Sequence, residues 1–156
     1  LDMHTSGIML LARNAEAHRV LSIQFARREV EKSYIALLDG RVEGEEGLIE
    51  LAFRLDPANR PHQVYDPLQG KKGITRWQKC GEEGDRTRVN FFPLTGRTHQ
   101  LRLHAAHPLG LGVPIVGDAL YGRGREGDPM LLHANRLSFL HPGSGERLKF
   151  IAPPPF

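Results

Sequence analysis

Cysteine is nearly missing from these 156 residues, with Cys80 alone. A single thiol excludes an internal disulfide and a zinc cage built from cysteines. It fits a reducing compartment, and a cytoplasmic location is the expectation. No apolar run approaches the ~20 residues that a bilayer crossing needs, so no membrane partner is expected. The opening residues also lack the basic, apolar, small-residue order of a signal peptide. There is no internal repeat, no heptad run and no internal linker. Charge of one sign is scarce as well: 21 Lys and Arg stand against 18 Asp and Glu, a net +3. That balance permits an acidic partner without demanding one, so the distribution of charge matters more than its total.

What is present reads as one globular domain spanning 1–156, with 40% hydrophobic and 25% charged residues. Between Arg97 and Glu126, four arginines (97, 102, 123, 125) oppose Asp118 and Glu126, and His99, His104 and His107 add donors. From Asp39 to Glu50 five acids oppose Arg41, which reads as a solvated loop that a phosphate backbone would avoid.

The elements alternate poorly between helix and strand. Gly7 to Arg13 has strand length, and Asn14 can cap a helix to about Arg28, with Ala17, Val20, Leu21 and Phe25 on one face. Val30–Leu38 and Leu48–Phe53 read as strands. Asp56 to Gly73, with three prolines, reads as a loop. Ile74–Cys80 and Thr87–Phe92 read as a pair joined by the turn 81–85. Thr98 can cap a short helix to about His107, and Met130–Leu140 and Arg147–Ile151 complete the strands. Strands outnumber helices without β-α-β order. The expected class is therefore α+β, a mixed and mainly antiparallel sheet with flanking helices.

Two segments carry the chemistry. Leu1-Asp2-Met3-His4-Thr5-Ser6-Gly7 puts a carboxylate before a polar turn, whose hydroxyls and N–H groups can orient it. An aspartate closing a turn before a strand is the plainer reading of the same residues. Gly96-Arg97-Thr98-His99-Gln100-Leu101-Arg102-Leu103-His104 brings two arginines five residues apart. Arg97, in a turn, suits a phosphate or a backbone carbonyl. Arg102, within the helix, can form a planar two-point pair with a carboxylate, or simply face solvent. His99 and His104 lie too far round a helix to share a face, so satisfied polar histidines, or ones facing an acidic partner, read better than a zinc site, and no metal is expected. Tyr34 shares a strand face with Ala36. It can be core, or it can stack on a base and keep a hydroxyl for proton work.

Together these segments resemble the RluA-type pseudouridine synthases, which isomerise uridine in ribosomal and transfer RNA. Leu1-Asp2, two variable positions and Thr5-Ser6-Gly7 match the family's catalytic segment, and Gly96 to His104 match its later motif at every fixed position. Glu31-Lys32-Ser33-Tyr34-Ile35-Ala36 looks like the segment holding the family's active-site tyrosine. Gly117-Asp118 with Tyr121, and Leu131-Leu132-His133-Ala134, resemble two more. The resemblance implies the pseudouridine synthase catalytic fold. It implies Asp2 as catalytic carboxylate with Arg102 as its ion-pair partner, and Tyr34 as the stacking aromatic and candidate base at C5. Arg97 and His99 would lie near the RNA, and Leu131-Leu132 would help wall the uracil pocket. Asn59-Arg60-Pro61 resembles the branch acting on both large-subunit ribosomal RNA and tRNA. The His-Arg that the family places before Leu1 is absent, so the expectation is a domain starting at its catalytic motif, N-terminally incomplete.

The implied reaction flips a uridine into a pocket, at a few kcal/mol of unstacking. Asp2 then adds to C6 of uracil or assists departure of the base from C1′; the base rejoins through C5 and loses the C5 proton. Atoms are conserved, so no cofactor is implied. A non-catalytic RNA-binding domain retaining the fold is the main rival; it would be marked by loss of Asp2 or Tyr34, and both are present. A hydrolase lacks a second acid at a recognisable spacing. Nothing in the sequence sets an oligomeric state.

Overall fold

The computed structural model describes every residue from Leu1 to Phe156. In chain order the elements are β1 (Ser6–Gly7), α1 (Ala15–Ala26), β2 (Glu31–Leu38), β3 (Glu46–Leu55), β4 (Gln63–Tyr65) and β5 (Lys71–Glu83). They continue with β6 (Arg86–Pro93), α2 (Gln100–Ala106), β7 (Leu132–Leu140) and β8 (Arg147–Ile151). The strands form one sheet in the order β1-β7-β2-β6-β5-β3-β4, with β8 also on β7. Every pair is antiparallel except β1 with β7. The class is the mixed α+β sheet that the strand-rich pattern implies.

Alternation builds this sheet. Val89 and Phe91 project to the same side of β6 and are wholly buried, while their neighbours are only half-buried. They join Ala36, Leu38, Ile49, Leu51, Phe53 and Trp77 in a core closed by Leu101, Leu103 and Ala105 of α2. A smaller core of Leu21, Val30, Leu137 and Phe139 lies beneath α1.

Five local expectations are corrected. Of the stretch Gly7–Arg13 only Gly7 is strand, as the last residue of β1. After Ile8 donates its N–H to Ala134 the chain leaves the sheet, because β8 takes the next part of the same β7 edge, Arg136–Leu140. The alternation survives without a ladder, with Ile8 and Leu10 against the small core and Met9 and Leu11 exposed. On α1, Asn14 caps as expected, accepting from Ala17 N–H at 2.8 Å. The buried stripe, however, includes Gln24 rather than Phe25. The Gln24 carboxamide brackets Leu140, donating to its carbonyl and accepting from its N–H, both at 2.8 Å. A buried amide is stable there because both its ends are satisfied.

The proline-rich stretch Asp56–Gly73 contains β4, since its prolines flank Gln63–Tyr65 without entering it. The turn 81–85 shrinks to Gly84-Asp85, because β5 continues to Glu83 past a register shift between Lys79 and Gly81. Finally, His99 rather than Thr98 stands at the start of α2, in the left-handed region at φ 55°.

One buried histidine makes the fold sensitive to acid. Gln100 Nε2 donates to Thr75 Oγ1 at 2.9 Å, which leaves the Thr75 hydroxyl proton for His104 Nδ1, also at 2.9 Å. His104 is fully buried and its Nε2 has no partner. Burial, then the charge of His107, lowers its pKa from 6.5 to about 4. Between those values the unfolded chain binds a proton that the folded chain refuses, so stability falls as pH drops through the window. The loss for this one group is about 3 kcal/mol at most. Urea midpoints should therefore fall between pH 7 and pH 4.5, and His104→Leu should remove at least half of that decline. An undiminished decline in the variant would place the acid sensitivity elsewhere.

Candidate active site

The parallel contact of β1 with β7 fixes the first motif. Gly7 sits at φ 107°, and a Cβ there would meet the Ala134 carbonyl oxygen at 2.3 Å, so only glycine allows the approach. His133 Nε2 donates to the Ala152 carbonyl at 3.0 Å, which leaves Nδ1 to accept from the Ser6 hydroxyl at 2.9 Å. Thus His133 and Ala134 anchor the turn. The turn hydroxyls do not hold the Asp2 carboxylate, contrary to expectation: Ser6 is engaged by β7, and it is the Asp2 carbonyl that accepts from Thr5 N–H at 3.0 Å.

The second motif is braced by Gln100, which is buried and fully used. It donates to Ile74 O and Thr75 Oγ1, and accepts from Thr95 Oγ1 and Arg97 N–H. This bracing shapes the loop leading to His99. Arg97 is exposed, and its Nε reaches the Lys72 carbonyl at 3.5 Å.

Arg102 is buried, not solvated. Its Nε and Nη2 form a two-point pair with Asp118 at 2.9 and 2.6 Å, and its Nη1 lies 3.9 Å from the Asp2 carboxylate. The carboxylate that holds the guanidinium is thus Asp118, and Asp2 faces its remaining nitrogen. Burial opposes the Asp118 charge. The Arg102 hydrogen bonds, the N–H groups of Tyr121 and Leu120 and the Arg102 charge outweigh it, keeping this carboxyl below its usual range. Asp118 Oδ1 also caps its own turn, accepting from Leu120 and Tyr121 N–H. Tyr121 then lays its ring 5.2 Å from the Arg102 guanidinium carbon.

A cavity of about 590 Å³ is lined by Asp2, Tyr34, Arg97 and His99. Its wall includes Leu132 but not Leu131, so only half of the expected leucine pair contributes. Tyr34 is half-buried, and burial together with the charge of Asp2 raises its pKa. Burial lowers the pKa of Lys32 in the same wall. The volume suits one nucleoside with its flanking backbone. No three His, Cys, Asp or Glu side chains are grouped to hold a metal ion. Asp118, Tyr121, Gln100 and Lys32 carry no assigned role in the sequence reading. The Gly117-Asp118 and Tyr121 segment was the available signal, without its pairing.

A carboxylate facing a buried arginine, in the lining of a nucleoside-sized cavity shared with a tyrosine and basic side chains, defines a candidate site for chemistry on a nucleic-acid base. Comparison with known proteins narrows this class. The family model "RNA pseudouridylate synthase" matches residues 1–107. The chain is 42% identical over 160 residues to the dual-specificity RNA pseudouridine synthase RluA of Pasteurella multocida, covering 100% of this chain and 72% of that protein. An uncharacterized RNA pseudouridine synthase of Zymomonas mobilis is 43% identical over 140 residues, covering 88% and 63%. Human RNA pseudouridylate synthase domain containing 1 superposes with a TM-score of 0.80 at 35% identity, covering 100% of this chain and 67% of the other. The chain belongs to the RNA pseudouridine synthase family, and it spans between 63% and 72% of the length of these curated relatives.

Proposed function

We propose that this chain, as one catalytic domain over 1–156, isomerises uridine to pseudouridine in structured RNA, ribosomal RNA, tRNA or both, in the cytoplasm. The observation that carries the reading is Asp2 in the cavity lining, its carboxylate 3.9 Å from the buried Arg102 guanidinium that Asp118 holds. Asp2 is the catalytic carboxylate that attacks the flipped nucleoside, and Arg102 steers it. Tyr34 stacks on the uracil and handles the C5 proton, while Arg97 and His99 contact the RNA. The Asn59-Arg60-Pro61 likeness and the dual-specificity relatives support both RNA classes as substrates. The test is release of tritium from [5-³H]uridine-labelled ribosomal RNA fragments and tRNA, with the modified position mapped. RNA binding without release would favour the non-catalytic alternative.

Arg102→Lys follows from the same geometry. Lysine keeps the charge but has no fork to occupy both Asp118 oxygens while presenting a third nitrogen to Asp2. Turnover should fall roughly 10²-fold, nearly as far as in Arg102→Ala, through misplacement of the carboxylate. Near-native turnover by the lysine variant would reduce Arg102 to a source of positive potential.

A further inference from the structure

Tyr121 stands where several elements meet, and its hydroxyl has a defined polarity. The backbone N–H of Gln63, the first residue of β4, donates to this oxygen at 2.9 Å. The His99 Nδ1 lies 2.7 Å from the same oxygen. A phenol has one proton, and the amide has already supplied the donor on the β4 side. The proton that remains is directed at His99, so Nδ1 accepts and the ring hydrogen resides on Nε2. The opposite arrangement would give the oxygen two donors and leave the phenolic proton without an acceptor.

The His99 backbone is constrained as well. It holds a left-handed conformation at φ 55°, which costs a non-glycine residue roughly 1 kcal/mol and persists only where its surroundings impose it. Gln100 fixes the preceding turn through Arg97 N–H, and the Tyr121 hydroxyl fixes the ring. Tyr121 is itself held by Asp118 through its N–H and by His62, whose ring meets it edge-on at 5.7 Å. His99 lines the cavity and Tyr121 does not.

We infer that Tyr121 is a positioning residue: its hydroxyl fixes His99 in the Nε2–H tautomer, so that the imidazole presents a hydrogen-bond donor to an acceptor oxygen of the RNA at the cavity. This rests on the uridine-isomerising reading for the identity of the ligand, while the tautomer is a property of the chain alone. The charged and titratable groups facing His99 are Asp2 before β1, Arg102 of α2, Asp118 and Tyr121 of the following loop, and His62 before β4. Burial lowers the His99 pKa, with Arg102 and His62 acting the same way and Asp2 and Asp118 opposing. A donor on the Nδ1 lone pair favours the neutral ring, so removing that donor should raise the pKa.

The experiment reads the ring nitrogens directly, by two-bond proton–nitrogen correlation on ¹⁵N-histidine-labelled protein at pH 7.5. The expected native result is protonated Nε2 and bare Nδ1 at His99. Tyr121→Phe keeps the ring beside Arg102 and removes the hydroxyl. It should mix the two tautomers, raise the His99 pKa read by titrating the ring nitrogens, and lower kcat/KM about tenfold, the scale of one hydrogen bond. A native His99 carrying its proton on Nδ1 would overturn the inference without any variant. So would a Phe variant with an unchanged tautomer and an unchanged His99 pKa. Native protein that shows the Nε2–H tautomer but forms no pseudouridine would refute the proposed activity and leave the tautomer assignment standing.

Discussion

Asp2→Asn should lower uridine isomerisation by roughly 10⁴-fold or more, since the variant loses the one nucleophilic carboxylate of the cavity. The geometry makes this substitution an unusually clean test. Arg102 keeps its two-point pair with Asp118 at 2.6 and 2.9 Å, so no buried guanidinium is stranded when the Asp2 charge is removed. The lost interaction spans 3.9 Å and involves a side chain that is 25% exposed, so the change in stability should stay within about 1 kcal/mol. RNA affinity should also survive, because phosphate contacts dominate it and Arg97 and Lys32 are untouched. The measurement is single-turnover tritium release from [5-³H]uridine RNA, with affinity and thermal unfolding followed on the same preparation. Turnover within tenfold of native would remove Asp2 from the mechanism.

Asp118 shows which parts of the site were legible in the sequence. Asp2, Tyr34, Arg97, His99 and Arg102 could be named from short motifs because each lies in or beside a local feature: a turn, a strand face or a helix start. The turn cap of Asp118 is equally local, through Leu120 and Tyr121. Its pairing with Arg102, sixteen residues away, is tertiary, and no spacing rule reaches it. The burial of Gln24 is hidden for the same reason: nothing in the α1 periodicity reveals that its carboxamide meets both backbone groups of Leu140 at the end of β7. The strand length of Gly7–Arg13 was over-read because a sheet edge is shared, and β8 competes for it from the far end of the chain. The Thr87–Phe92 strand and the Asn14 cap needed no such distant information, and both read correctly.

Tyr34→Phe separates stacking from proton transfer. Phenylalanine keeps the ring against the cavity wall, so substrate binding should remain within a few-fold of native, whereas Tyr34→Leu should weaken it. The net reaction takes one proton from C5 and delivers one to N1, so a group at the cavity must handle the C5 hydrogen. Two causes raise the Tyr34 pKa, its burial and the negative charge of Asp2. The second disappears while the Asp2 carboxylate is bonded to C6, because that ester carries no charge and breaks only as the C5 proton leaves; a bond to C1′ instead breaks when C5 rejoins C1′, and the charge returns. On the C6 route the phenol is therefore easier to ionise at the stage when C5 must be deprotonated, which gives the two residues an order of action there. Loss of the hydroxyl should slow C5 tritium release by ~10²–10⁴-fold, the usual contribution of a positioned base. The block should differ from that of Asp2→Asn: the rejoined base, still carrying its C5 hydrogen, should accumulate in the Phe variant and be absent from the Asn variant. Quenched single-turnover reactions, analysed for both tritium release and the new carbon–carbon glycosidic bond, distinguish the two. Tritium release by the Phe variant within a few-fold of native would leave Tyr34 as a stacking platform and move the base to another group in the cavity.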